Sequence, residues 1–278
     1  MKSGLLKLPL TCAELIGLVK IAIACCCFFL SSLVLAQSEQ LDNLATEETG
    51  QTVLQKWQSA IANDRVGELL SMWTSSKDKP TLLATRTGNG KDAFMIAAKT
   101  GHTGLFELLL EAGADPDSAT VTGGTPIMFA ALGNHPELVK RLIAAGADPN
   151  RKGSNGWSAL TIAAAKGYAD MIRLLVSVGA QPDVLDVYRW SPLMRAVDNG
   201  HTEAVAAILS YDSVNLQQQD EAGNTALHYA VVHGNIEMVK ALLAAGADPD
   251  VLNRDRQSPR QLALAGSTSG SLSSLFAR

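Results

Sequence analysis

The stretch GNTALHYAVVHGNIEMVKALLAAGADPD, residues 223–250, decides the fold, because related versions of it fill most of the chain. The opening residues of these versions are Asp92, Thr125, Ser158, Ser191, Thr225 and Ser258. Successive openings are equally spaced, except that the step from Ser191 to Thr225 is one residue longer than the others. A constant period that has room for one turn and two short helices predicts a solenoid of stacked repeats.

One unit can be followed from Thr125 onward. The hydroxyl of Thr125 is expected to cap the first helix, and Pro126 suits the first helical position because no amide hydrogen is needed there. The small residues Ala130 and Ala131 allow a neighbouring helix to approach closely. The pattern therefore indicates a short first helix that packs tightly against its neighbours.

The second helix of this unit carries a single apolar stripe. Leu138, Val139, Leu142 and Ile143 lie at helical spacing, and the charged residues between them face water. In the next unit, Leu174 is expected in the corresponding buried stripe. A lone helix pair cannot bury such a stripe, so neighbouring units must stack.

The repeated motifs resemble the ankyrin repeat. The TPLH opening of that family stands here as TPIM, SALT, SPLM and TALH, starting at Thr125, Ser158, Ser191 and Thr225. Its GADPN-like ending stands at residues 113–117, 146–150, 179–183 and 246–250. The resemblance implies an all-α solenoid of paired antiparallel helices with hairpin-like turns, and five regular repeats over residues 87–252.

The two ends of the repeat array are expected to be capped. Residues 53–86 form the predicted N-terminal capping helix pair and loop, because apolar residues return there at helical spacing. Residues 253–266 keep only the start of a repeat and form a predicted capping half-repeat. Residues 267–278 are expected to be a disordered tail.

The fourth repeat departs most from the pattern. It lacks the GADPN-like ending and contains the one extra residue. Its turn has Arg189 at a position where the sister copies have Gly90, Gly123 or Gly124, Gly156 and Gly223. If that position requires a positive φ, a residue with a Cβ costs on the order of 1 kcal/mol there.

Residues 1–36 have the features of a secretory signal peptide. Three lysines precede the uncharged, apolar run from Ile21 to Leu35, and small Ala36 suits a cleavage site. This run is shorter than the roughly 20 residues of a membrane-spanning helix. An uncleaved membrane anchor remains the alternative. Residues 37–52 are polar and acidic, and we expect a flexible linker.

Cysteine usage and charge limit the possible functions. All four cysteines lie in the leader, so the processed chain has no disulfide, catalytic thiol or cysteine-based zinc site. An exported domain without cysteine is typical of a bacterial periplasm. The leader holds three of the 23 basic and one of the 27 acidic residues, which leaves a net charge near −6. This charge argues against nucleic-acid binding.

The five histidines do not predict a catalytic or metal site. His102, His135 and His201 occupy the same helix-to-helix turn in three copies, and His228 belongs to the TALH opening. Only His233 lies at a variable position. The sequence also lacks a phosphate-binding loop, a nucleophile elbow and a dinucleotide fingerprint. We therefore expect no enzyme activity, no catalytic residues, no metal site and no cofactor. A hydrolase-like or metal-dependent activity would need a cluster of acidic, basic or metal-ligating residues, and the sequence does not predict one.

The resemblance implies a partner-binding surface. Ankyrin repeats bind other proteins through the tips of the turns and the concave surface of the first helices. Transferred position by position, the turns contribute Lys91, Asn155, Trp157, Tyr188, Arg189, Trp190 and Asn224, and the first helices contribute Lys99, Lys166, Asp198, Asn199 and His233.

Two tryptophans stand at the centre of this predicted surface. Trp157 and Trp190 hold equivalent places in adjacent repeats, although aromatic residues make up only 5% of the chain. Tryptophan, tyrosine and arginine are enriched among residues that dominate binding energy. The alternative is that each tryptophan covers the turn of its neighbour and stabilises the stack.

The resulting prediction is a non-enzymatic binding module. We expect a monomer, periplasmic or secreted, that binds an envelope or periplasmic protein through the concave face and turn tips. Nucleic acid is excluded as a partner, and the membrane is involved only if the leader stays as an inner-membrane anchor. The alternative function is a membrane-anchored scaffold or an inhibitor that masks a partner enzyme.

Export should remove residues 1–36. Intact-mass measurement of the protein from the cell envelope should therefore show a chain that begins at Gln37. The variant Ala36→Phe should keep its leader, because the cleavage site requires a small residue. A wild-type chain that retains Met1 would instead establish a membrane anchor.

Overall fold

The computed structural model describes residues 51–265 and 270–276. The chain is divided into a first unit, Met1–Lys56, and a second unit, Trp57–Arg278. The predicted leader and most of the predicted linker lie outside the described residues. The described helices are α1 (Val53–Ala62), α2 (Val66–Ser75), α3 (Lys79–Ala84), α4 (Ala93–Thr100), α5 (Thr103–Glu111), α6 (Pro126–Leu132), α7 (Pro136–Ala144), α8 (Ala159–Lys166), α9 (Ala169–Ser177), α10 (Pro192–Asp198), α11 (Thr202–Leu209), α12 (Ala226–Val232), α13 (Ile236–Ala244), α14 (Pro259–Ala265) and α15 (Gly270–Leu275).

The second unit is a stack of helix pairs that follow the predicted period. The pairs are α4–α5, α6–α7, α8–α9, α10–α11 and α12–α13. The first helix of each pair packs against the first helix of the next pair, and α14 continues this row. Because the described residues contain helices and no strand, the all-α solenoid prediction is confirmed.

The core of the stack combines small and large apolar residues of the first helices with mainly large apolar residues of the second helices. Ala97, Ala130 and Ala163 are fully buried, which lets consecutive first helices approach closely. In α7, Leu138, Val139 and Leu142 are buried, as the stripe predicts, whereas Ile143 is only partly buried.

One buried position was predicted wrongly. Leu174 is only partly buried, and its neighbour Leu175 is fully buried. The buried residues of α9 are Met171, Ile172 and Leu175. Leu175 holds the position of Leu142 one repeat later, so the stripe keeps its phase from one repeat to the next.

The openings of the first helices are capped by side chains in most copies. A carboxylate oxygen of Asp92 accepts the backbone N–H of Met95 at 2.8 Å. The hydroxyl of Ser158 accepts the N–H of Thr161 at 3.2 Å. Thr125 differs from the prediction, because its buried hydroxyl makes no cap bond and has no hydrogen-bond partner among the described residues. The β-branched threonine has less freedom about χ1 than serine to aim its hydroxyl.

The ends of the array contain two helices where the sequence predicts a loop and a disordered tail. Helix α3 lies in the expected N-terminal loop, and Asp78 caps it by accepting the N–H of Thr81 at 3.2 Å. Helix α15 lies in the expected disordered tail, where Leu272 and Phe276 are buried. These side chains are spaced four residues apart, so α15 can lay one apolar face on α13 and α14.

The packing of the stack predicts that replacing two adjacent leucines by alanine reduces the free energy of unfolding by clearly different amounts. Leu175→Ala should reduce the free energy of unfolding by about 2–5 kcal/mol, because it leaves a cavity between repeats. Leu174→Ala is the matched control, and it should cost clearly less because Leu174 is already partly exposed to water. Urea unfolding of both variants measures the difference, and equal losses would contradict the assigned packing.

Candidate functional site

The turns between repeats form a continuous row along one side of the stack. Each turn is closed by a backbone hydrogen bond, as from the N–H of Gly153 to the carbonyl oxygen of Trp157 at 2.9 Å. A further backbone bond joins each turn to the next, as from the N–H of Ser154 to the oxygen of Thr122 at 2.8 Å. We call the surface formed by this row and by the exposed side of the first helices the turn face.

Glycine is favoured at one position of these turns because consecutive turns approach closely. Gly156 has a φ of 79°, and a Cβ placed on it would lie 2.6 Å from the Cα of Asp186 in the next turn. Gly223 has a φ of 82° and is similarly close to the following turn. The glycine pattern of the repeats therefore has a steric cause.

Arg189 occupies this glycine position in the fourth repeat with a φ of 64°, so the backbone there has the positive φ on which the expected cost depends. The one longer spacing between repeat openings, from Ser191 to Thr225, directly follows Arg189 in the chain. The longest described bond between turns also lies here, 3.4 Å from the N–H of Glu221 to the oxygen of Tyr188. The corresponding N–H to oxygen distance between the other pairs of neighbouring turns is 2.8–3.1 Å. The Cβ of Arg189 is thus accommodated where the turns lie further apart.

Arg195 lies between the two predicted tryptophans. Its guanidinium carbon is 4.4 Å from the ring centroid of Trp190 and 5.1 Å from that of Trp157. The guanidinium also pairs with the buried carboxylate of Asp186, with 3.1 Å between Nε and Oδ2. These contacts hold one cation against two indole rings, a favourable cation–π arrangement.

The carboxylate of Asp186 fixes both the turn and the arginine. Its second oxygen accepts the backbone N–H groups of Tyr188 and Trp190, each at 2.9 Å. The side chain of Asp186 is 0% exposed and that of Arg195 is 18% exposed. Because the charges are paired and hydrogen-bonded, this part of the turn face is electrically balanced and rigid.

The fifth repeat extends this arrangement by one more aromatic residue. The rings of Trp190 and Tyr229 lie 4.6 Å apart between centroids. The hydroxyl of Tyr229 donates to the carboxylate of Asp220, which also accepts the N–H of Asn224 at 2.8 Å. Burial and the bond to Asp220 raise the pKa of Tyr229, so its hydroxyl stays protonated. We call Trp157, Asp186, Trp190, Arg195 and Tyr229 the Arg195 cluster.

Sequence reasoning missed Arg195, Asp186 and Tyr229. The signal was nevertheless present, because the column of equivalent positions is apolar in the first three repeats. The column reads Ile96, Phe129, Ile162, Arg195 and Tyr229. A charged residue in such a column, next to two tryptophans, indicates a compensating partner nearby.

The predicted site residues of the first repeat are tied to the N-terminal cap. The ammonium group of Lys99 pairs with the carboxylate of Asp64, and that of Lys91 lies 4.0 Å from the same carboxylate. Both lysines are partly buried. Their contacts place them away from the Arg195 cluster and give them a role in joining the first repeat to the cap.

The other predicted residues are spread over the later repeats. Tyr188 is 59% exposed at a turn tip, and Lys166 is exposed at the end of α8. Asp198 and His233 pair across two repeats at 3.0 Å. Asn155, Asn199 and Asn224 are engaged in hydrogen bonds, respectively with the N–H of Trp157, the oxygen of Arg195 and the side chain of Asn253.

The remaining histidines hold backbone groups. His135 and His201 each place Nε2 3.1 Å from a carbonyl oxygen of the preceding repeat, at Lys99 and Ala165. His228 accepts the N–H of Thr225 at Nδ1, and burial lowers its pKa. Within residues 51–265 and 270–276, no three His, Cys, Asp or Glu side chains are placed to hold a metal ion. Among the helices described, none combines the length and hydropathy of a membrane-spanning segment.

Comparison with known proteins matches the repeats. The family profile described as "Ankyrin repeats (3 copies)" matches residues 58–153, 94–187, 127–220 and 178–253. The Notch-regulated ankyrin repeat-containing protein of Homo sapiens is 42% identical over 52 residues, which are 19% of this chain and 46% of that protein.

Two larger proteins are similar over comparable lengths. Transient receptor potential cation channel subfamily A member 1 of Homo sapiens is 43% identical over 51 residues, 18% of this chain and 5% of that protein. Ankyrin repeat and SOCS box protein 3 of Bos taurus is 37% identical over 60 residues, 22% of this chain and 11% of that protein. The matches to these three relatives cover less than half of each relative's length.

Arg189→Gly should raise the free energy of unfolding by about 1 kcal/mol, because glycine adopts a positive φ without a steric penalty. Arg189→Ala is the control, since it removes the guanidinium but keeps the Cβ, and it should bring no such gain. Urea unfolding distinguishes the two. An equal gain from alanine would show that the arginine side chain, and not the backbone, is the source of strain.

Proposed function

Because the chain belongs to the ankyrin-repeat family, we propose that it is a non-enzymatic binding module whose turn face, centred on the third and fourth repeats, receives a protein partner. Ankyrin repeats generally mediate protein–protein interaction. The observation that supports this location is the Arg195 cluster. It presents the partly exposed Trp157 and Trp190 on a fixed frame, with the exposed Tyr188 beside them.

The rigidity of this cluster favours binding. Ordering a mobile side chain at an interface costs about 0.5–1.5 kcal/mol. The rings of Trp157 and Trp190 are already held by Arg195, and Arg195 is held by Asp186. A partner that docks here therefore meets side chains whose conformational entropy has already been lost. Tryptophan, tyrosine and arginine are also the residue types that most often dominate interface energy.

The contacts within the cluster also stabilise the stack, so the two interpretations of the tryptophans are compatible. Trp157 spans the third and fourth repeats through Arg195, and Trp190 spans the fourth and fifth through Tyr229. Each ring is only partly buried by these contacts. The exposed remainder is available to a partner.

The predicted leader supports a cellular setting for the proposed function. We place the protein as an exported monomer in the periplasm, or outside the cell, with cleavage after Ala36. Its partner is then a protein of the cell envelope. The alternative is an anchored scaffold or an inhibitor that covers the active site of an envelope enzyme with the same face.

In-cell cross-linking of the tagged full-length protein in its source organism tests this proposal. Two variants probe the face, Trp157→Ala and Tyr188→Ala, and Leu264→Ala is the matched control. Leu264 is an exposed apolar residue of α14, beyond the regular repeats, with 62% exposure. Thermal denaturation first establishes that the variants remain folded.

A specific partner should be captured by the wild type and by Leu264→Ala, and lost by both face variants. Truncating a dominant interface aromatic costs at least about 2 kcal/mol of binding. Retention of the partner by both face variants would place the binding surface elsewhere. Capture of no specific protein by the wild type would remove the main support for a binding module.

A further inference from the structure

An apolar groove of about 430 Å³ lies on the turn face between the second and third repeats. Phe129 of α6, Ile162 of α8 and Trp157 of the third turn line it, and all three are partly exposed. Gly124 and Met128 complete the apolar lining used here. We call these five residues the Gly124 socket.

The socket exists because one turn lacks a side chain that its neighbours have. Gly124, Trp157 and Trp190 hold equivalent positions in three consecutive repeats. In the fourth repeat, the ring of Trp190 covers Arg195 of its own first helix and Tyr229 of the next. The corresponding residues around Gly124 are Phe129 and Ile162, and glycine has no side chain to cover them.

Glycine is not needed at this position by the backbone. Gly124 is not among the described residues with a positive φ, whereas its neighbour Gly123 has a φ of 78°. A Cβ on Gly124 would lie 3.1 Å from the hydroxyl oxygen of Thr120 and 3.5 Å from the ring of Phe129. The turn could therefore carry a side chain after a small shift of Thr120. The absence of a side chain leaves room for one from another molecule.

The surroundings of the socket are positively charged. The two segments that build it, residues 120–134 and 150–168, contain Arg151, Lys152 and Lys166 and no aspartate or glutamate. Lys166 lies four residues after Ile162 on α8, so it shares the face that lines the socket. Lys152 is exposed in the third turn and donates to the oxygen of Leu185 at 3.2 Å. In the described part of the chain, neither lysine forms an ion pair with a carboxylate.

The charge contrast with the adjacent cluster is sharp. The guanidinium of Arg195 is neutralised by Asp186, so it adds little net field. Lys152 and Lys166 are not neutralised in this way by any described carboxylate, and they leave the socket with a cationic border. An occupant that complements both features carries a bulky apolar side chain and nearby carboxylates.

On the basis of the proposed function, we infer that the Gly124 socket receives an aromatic side chain from an acidic segment of the protein partner. The aromatic ring covers Phe129 and Ile162, in the place that the indole takes at Trp190. Carboxylates on either side of the ring pair with Lys152 and Lys166. The Arg195 cluster then forms the adjoining, rigid part of the same interface.

Three labelled synthetic peptides of equal length serve as probes. The first has one phenylalanine flanked by aspartates, the second has alanine in place of phenylalanine, and the third has lysines in place of the aspartates. Each is titrated by fluorescence anisotropy against the protein purified from its envelope fraction. The first peptide should bind at least about tenfold more tightly than either of the others.

Two variants place the binding at the socket. Gly124→Trp supplies the indole that the next two repeats already carry, and it should weaken the binding of the first peptide by about tenfold or more. Gln257→Trp is the matched control, because Gln257 holds the equivalent position at the end of the array and is exposed. Lys152→Gln with Lys166→Gln leaves the socket open and should abolish the preference for aspartate over lysine. This second variant keeps the test valid if Gly124→Trp does not fold.

Several results would overturn the inference. The first is equal binding of the phenylalanine and alanine peptides, and the second is unchanged binding to Gly124→Trp. Sedimentation that shows self-association of the wild type, lost in Gly124→Trp, would make a second copy of the chain the occupant. A cross-linked partner that depends on Trp157 and Tyr188 but not on Gly124 would refute the socket alone and leave the proposed function standing.

Discussion

The backbone hydrogen bond from each turn to the next is the constraint on which the rest of the structure depends. It can form only where consecutive turns approach closely, and at Gly156 that approach leaves no space for a Cβ. A second tie acts at the other end of the first helices, where His135 and His201 reach carbonyl oxygens of the preceding repeats. Each of these repeats is therefore fixed to its neighbour at two separate points, and the stacking step cannot vary freely.

A fixed step turns equivalent sequence positions into columns of side chains. The turn column reads Lys91, Gly124, Trp157, Trp190, Asn224 and Gln257. These residues differ in size and charge, yet the backbone bond between turns persists along the whole row. The fold thus tolerates large changes of side chain at these positions, which is what a binding surface requires. On the proposed binding surface, this column would determine specificity, while stability comes mainly from the buried stripes and from the hydrogen bonds between turns.

The repeat architecture could be predicted from the sequence because its signals are periodic. Six openings at a near-constant step fix the helix pairs, and the glycine pattern marks the turn position at which Arg189 has a positive φ. The predictions that were wrong concern features that do not repeat or that depend on local contacts. Leu174 lies one position before the fully buried Leu175, because the phase of the stripe is set by contact with neighbouring repeats. Helix α15 was missed because its opening, Gly270 and Ser271, shares the glycine and serine composition of the residues before it, and only Leu272, Leu275 and Phe276 indicate an apolar face.

The candidate site could be predicted only in part, for a related reason. The resemblance selected positions on the turn face, but it did not show which of them contact each other. Lys91 and Lys99 are joined to Asp64, outside the regular repeats, so their charges are committed to the N-terminal cap. Arg195 was not predicted because the resemblance does not select its position within the first helix, and its partner Asp186 lies nine residues before it.

The charges of the turn face divide it into two regions with different physical properties. Around Arg195, the buried carboxylates of Asp186 and Asp220 have partners, so the local field is small and the side chains are held in place. Removal of one partner there would leave an unpaired buried charge, which is strongly unfavourable. Around Gly124, the lysines are exposed and no described carboxylate pairs with them, so their field extends into water and weakens with salt. An acidic partner would therefore be attracted first to the second and third repeats, and it would then gain most of its contact energy from the rigid aromatic residues beside them.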